Sequence, residues 1–101
     1  MKIFIDPVAA DDLLAQLRWG ADRFGIETTT QTLDRVNHFI ETYLPTFPLG
    51  AKYLPALNVF EVLIPRTPFI LFYRQETEDR IRVLAVFHQS QDRHSAQSTR
   101  E

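Results

Sequence analysis

The 101-residue sequence predicts an α+β fold of order β-α-α-β-β-β, a helical hairpin packed on one face of a small antiparallel sheet. Three observations predict it. Apolar residues recur at helical spacing from Ala10 to Leu44. A connector rich in proline and glycine, "PTFPLGAKYLPAL", then ends that pattern. Beyond it, three runs rich in β-branched and aromatic residues follow one another with short, turn-like links. Helices segregated before an antiparallel meander are the mark of an α+β domain.

The elements can be justified in order. "KIFI", Lys2 to Ile5, is a short apolar first strand. "DP" opens a helix, with Asp6 as N-cap and Pro7 in the first helical position. Ala10, Leu13, Leu14, Leu17, Ala21 and Phe24 form one apolar stripe, and Gly25 stops the helix. "TTTQ" offers a capping box, Thr28 with Gln31, for a second helix. Leu33, Val36, Ile40, Tyr43 and Leu44 share its apolar face, and Pro45 is expected to end it. About five residues would join the two helices in an antiparallel hairpin. The strands are expected at Asn58–Ile64, Phe69–Gln75 and Arg80–His88. The tail, "QSQDRHSAQSTRE", has no apolar period and is expected to fray. A single domain over residues 1–92 and a flexible tail over 93–101 follow.

Within the meander, Phe69 to Tyr73 is a run of five large apolar or aromatic residues, where a half-exposed strand should alternate. Helices cover only one face of a sheet. The other face is therefore expected to be open to a protein partner, or else hidden by the first strand, the connector or the tail.

Composition excludes several function classes. The chain has no cysteine, hence no disulfide framework and no thiolate nucleophile or metal ligand, which fits a cytoplasmic location. The start, "MKIFIDPVAADD", turns acidic too early for a signal peptide, and no apolar run approaches the roughly 20 residues that span a bilayer. The net charge of −2 argues against a broad nucleic-acid surface. Up to Gly50 there are four Lys/Arg against seven Asp/Glu; beyond it, seven against six. No histidine–carboxylate pair has metal spacing and no glycine-rich loop could hold a phosphate, so neither metal nor cofactor is expected.

"DDLLAQLRWGADRFG" in the first helix, "TLDRVNHFIETYLPTFPLG" through the second helix into the connector, and "FEVLIPRTPFILFYRQETEDRIRVLAVFHQSQDR" over the meander resemble ParE-type toxins. These belong to the RelE/ParE superfamily, the toxic halves of bacterial toxin–antitoxin modules, which includes plasmid stabilisation proteins. The resemblance runs to about Arg93 and rests on the succession of helix, "FP-x-G" connector, "FYR" and "VFH". It implies a small protein that halts growth when free and that a ParD-like antitoxin neutralises with an amphipathic helix and an extended segment. ParE-type members act on DNA gyrase; RelE-type members cut messenger RNA on the ribosome. One scaffold hosts both, so fold does not choose between them.

Three features point away from the nuclease. Ile70 stands three positions before Tyr73, where that branch commonly has a basic residue. The tail has no aromatic residue, and the low net charge suits ribosome docking poorly. The residues left for RNA cleavage are His88, Arg74 and Glu61, and each has a structural reading: a strand-end histidine, an interface arginine and an ion-paired glutamate. For a gyrase binder the candidate contacts are Arg66, rigid between two prolines, with Arg74, His88 and Arg93. For the antitoxin they are Arg18, Trp19, Arg23, Phe69 and Leu71. Tyr73 is expected to place its ring in the core and its hydroxyl at the rim, while His38 and His94 carry no visible pattern. The expected function is gyrase inhibition; the alternatives are a ribosome-dependent endoribonuclease and an inert, antitoxin-binding relic.

Overall fold

The computed structural model describes residues 1–47 and 52–89. Strand β1 (Lys2–Ile5) leads into helix α1 (Pro7–Phe24), which the side chain of Asp6 caps by accepting from the Val8 N–H at 2.9 Å. Helix α2 (Ile26–His38) follows after one residue, Gly25, rather than about five. At φ 91 and ψ 161, Gly25 occupies backbone space essentially reserved for glycine. That conformation lets it end α1, through its N–H to the Ala21 carbonyl, and start α2 at once. The expected capping box is therefore absent: Thr28 lies inside α2, and its carbonyl accepts from the Thr32 hydroxyl. A Cβ on Gly20 would stand 3.4 Å from the Thr29 hydroxyl, in ordinary contact across the two helices.

Pro45 does not end the second helical segment. A π turn (Phe39–Tyr43) and a last α turn (Leu44–Thr46) continue it. The wider turn bonds the Leu44 N–H to the Phe39 carbonyl, which offsets the hydrogen bond and the space that proline takes from a regular helix.

The sheet has five strands in the order β1-β5-β4-β3-β2. Strands β3 (Val59–Leu63), β4 (Phe69–Thr77) and β5 (Arg80–His88) form the antiparallel meander. Strand β2 (Lys52–Leu54), inside the stretch read as connector, pairs antiparallel with β3. Strand β1 pairs parallel with β5 at the opposite edge, so the sheet is mixed. Beyond Val83 the outer edge of β5 is left by β1, and Asp12 of α1 accepts the Val86 N–H there at 3.2 Å.

Both faces of β4 are covered. Toward the helices, Phe69, Leu71 and Tyr73 join Val36, Phe39, Ile40 and Leu44 in the main core. On the far face, Ile70 and Phe72 pack with Val59, Ala85 and Phe87, and Leu54, Leu57 and Leu84 lie against them. None of the five buried members of this second cluster is more than 7% exposed, so the apolar run needs no partner to cover it. The expected open sheet face is thereby corrected. Helix α1 also sits differently from its predicted stripe. Ala9 is buried and Leu13 half-buried, whereas Ala10, Leu14 and Phe24 face solvent. Among the described residues no helix is long and apolar enough to cross a membrane. The tail over 93–101, with Arg93 and His94, lies outside the described residues.

Candidate functional site

Four aromatic rings meet where the helical hairpin turns over the end of the meander. The register sets Phe69 opposite His88 at the start of β4 and the end of β5, both on the helix side. The His88 ring stands edge-on to Phe69, with centroids 6.1 Å apart, and to Trp19 of α1 at 6.0 Å. Trp19 in turn meets Phe24 at 5.9 Å and carries the Arg23 guanidinium 4.9 Å above its ring. The Gln89 N–H donates to the Pro68 carbonyl at 2.7 Å and holds the strand ends together beneath the cluster.

A notch of ≈ 60 Å³ opens among these rings, floored by Phe69 and walled by Trp19, Gly20, Thr28, Thr29 and Thr32. That is far below the roughly 300 Å³ of the smallest usual ligand pockets, so it suits one side chain of a partner rather than a cofactor. Around it the surface is apolar. Phe24 is 62% and Ile26 77% exposed, on either side of Gly25, and Trp19 is 47% exposed. Turns are normally polar, so the exposed "FGI" at the hairpin tip is unusual, and its apolar character is legible in the sequence.

The other sequence candidates scatter. Arg18 is exposed on α1 and borders a separate depression with Ile26 and Leu33. Leu71 is 0% and Phe69 4% exposed, so the first is pure core and the second reaches only the floor of the notch. Arg66 sits on the β3–β4 turn at φ 60, and its carbonyl accepts from Arg35 at 3.3 Å. His88 is close to this turn through Phe69, but Arg66 borders a different groove.

Arg74 is engaged internally. Its guanidinium donates to the carbonyls of Asn58 at 2.9 Å and Leu57 at 3.1 Å, fixing the turn between β2 and β3. Arg82 on the same face bonds Glu76 at 2.8 Å, and this hydrogen bond, more than any other neighbour, holds the Glu76 carboxyl below the usual carboxylate range.

The trio His88, Arg74 and Glu61 is not assembled. Glu61 pairs in register with Phe72 on the far face of the sheet, whereas His88 lies on the helix face. Arg74 is on the far face too, five residues along β4 from the partner of His88, or about 17 Å at ~3.4 Å per residue. The sheet itself thus separates His88 from Glu61 and Arg74, so the three do not meet around one reacting group.

Comparison with known proteins agrees with this architecture. A family model described as ParE toxin of type II toxin-antitoxin system, parDE, matches residues 3–93. Comparison with curated proteins returns no match. Among solved structures, the chain resembles one described as a chromosomal ParDE TA system from P. aeruginosa, with a TM-score of 0.73 and 20% identity. The match covers 87% of this chain and 95% of that one, and at this identity it speaks for the fold. With nearly its whole length matched by the family model, and with the hairpin-on-sheet fold to go with it, the chain belongs to the ParE toxin family of type II toxin–antitoxin systems.

Proposed function

We propose that this chain is the toxin of a toxin–antitoxin pair, acting in the cytoplasm by binding DNA gyrase and so arresting replication and growth. A ParD-like antitoxin neutralises it by covering the apolar surface at the hairpin tip. Plasmid or chromosomal maintenance is the setting such a pair serves. The observation that supports the binding mechanism is the separation of His88, on the helix face of the sheet, from Glu61 and Arg74 on the far face, which counts against the RNA-cleaving alternative. Family membership supports the toxin role. The exposed Trp19, Phe24 and Ile26, with Arg18 and Arg23 beside them, support the antitoxin contact. An amphipathic helix with one large side chain for the notch and acidic residues for the two arginines is the complementary shape.

The test is pulse-labelling of DNA and protein synthesis in bacteria after inducing this chain alone. Thymidine incorporation is expected to fall well before methionine incorporation. The reverse order would establish a ribosomal target and sink the gyrase reading. If neither falls while the protein accumulates in folded form, the chain is an antitoxin-binding relic.

A further inference from the structure

Past the β3–β4 turn, the second helical segment walls a groove of ≈ 670 Å³ that no family assignment explains. Arg35, His38, Phe39, Tyr43, Phe47 and Arg66 are the lining residues that matter. The volume lies in the ~300–1,000 Å³ range of binding clefts. One wall is an aromatic ladder. Phe39 and Tyr43 stack at 4.7 Å with planes 20° apart, and Tyr43 meets Phe47 at 5.1 Å. Phe39 belongs to the core, while Tyr43 and Phe47 are 36% and 54% exposed.

Two backbone irregularities converge on this groove. The π turn carries Phe39 and Tyr43, and Arg66 is held in the left-handed region, unusual for a residue other than glycine. Both conformations lie above regular backbone in energy, and such features gather at binding sites. The groove is also basic, with Arg35, Arg66 and His38 against one acid, Asp34. Arg35 makes a single bond among the described residues, to the Arg66 carbonyl. Among the described residues, neither the Arg66 guanidinium nor the His38 ring has a hydrogen-bond or ion-pair partner.

We propose that this groove docks an extended acidic segment of a partner protein. A large apolar side chain of that segment stacks on Tyr43 and Phe47, and its carboxylates pair with Arg35 and Arg66. Guanidinium groups bind carboxylates in two-pronged fashion, and partly desolvated pairs beside an aromatic wall gain strength from the lowered dielectric. The acid in the groove and the chain's net charge of −2 disfavour a nucleic acid strand as occupant. The inference rests on the groove's own chemistry and holds whichever target the toxin reaches.

The experiment is fluorescence anisotropy on the full chain with a labelled synthetic peptide of glutamates around a central Phe-Leu pair. A lysine counterpart and a labelled oligo-thymidine strand serve as comparisons. The acidic probe is expected to bind, more weakly as salt rises, and the lysine probe not to bind. Arg66→Gly is the decisive variant, since glycine accepts φ 60 without strain while the exposed side chain and its cation are removed. It should melt no lower than the parent yet bind the acidic probe about tenfold more weakly; Phe47→Ala should weaken it similarly. Absence of acidic-probe binding, equal binding of the lysine probe, or an Arg66→Gly variant of unchanged affinity each overturns the proposal. Preferential binding of the oligonucleotide overturns it in favour of nucleic acid. Self-association of the chain that Arg66→Gly abolishes overturns it in favour of a second copy.

Discussion

The guanidinium of Arg74 closes the turn between β2 and β3 by holding two successive carbonyls, while the Tyr53 hydroxyl donates to the Asn58 side chain at 2.7 Å. Asn58 itself sits at φ 53, so the turn depends on these ties. Arg74→Ala is expected to lower stability by about 1–3 kcal/mol, the range for losing charge-assisted hydrogen bonds, and Arg74→Lys to recover only part of it. Urea unfolding measures both. Tyr73 offers a pH test. Burial first, and then the neighbouring Tyr43, pushes its hydroxyl up to about 12 from an ordinary value near 10. Below pH ~10 both folded and unfolded chains keep the proton, and the contribution to stability is complete. As pH rises from ~10 to ~12 the unfolded chain loses it first, so stability should fall by up to about 3 kcal/mol. Tyr73→Phe lacks this decline, and the difference between the two proteins' unfolding curves isolates it from other groups. At this scale the sequence located the Tyr73 ring in the core, because a tyrosine within an apolar run has nowhere else to put it, but its hydroxyl is buried as well rather than at the rim. It placed Arg74 at an interface because carbonyl partners far along the chain carry no sequence signature.

Among the elements, the hairpin turn is the sharpest case. Nothing lies within 4 Å of a Cβ added to Gly25, so Gly25→Ala is limited by backbone strain alone. Its cost is expected to be about 1–3 kcal/mol, and Asn, which tolerates the left-handed helical region, should not rescue it. Thermal melting of the three proteins settles the point. The N-terminus of α1 was readable because Asp6 and Pro7 act locally. The start of α2 and its passage through Pro45 were not, since each depends on a non-regular backbone state that packing must hold in place. Strand β2 escaped for a related reason: three residues among prolines become a strand only when β3 supplies the hydrogen bonds.

For the whole molecule, the aromatic cluster joins α1 to the end of the meander, and His88 is its centre. His88→Ala should shift Trp19 emission to the red and lower stability slightly, by the ~0.5–1.5 kcal/mol of an aromatic pair. It should leave the growth arrest of induced cells largely intact, whereas abolition of arrest by a folded variant would restore the nuclease reading. Plating efficiency and Trp emission are the two readouts. The order of elements apart from β2, the two-layer class and the family followed from the sequence itself, because hydrophobic period, caps and turn residues act over short stretches. Only the tertiary structure decided that β1 lies parallel beside β5, that the far face of the sheet is closed, and which charged groups meet. Those outcomes turn on contacts between residues remote in the chain, where many pairings share one local pattern and packing selects among them. The same selection brought Trp19 to His88 and carried Glu61 to the other side of the sheet.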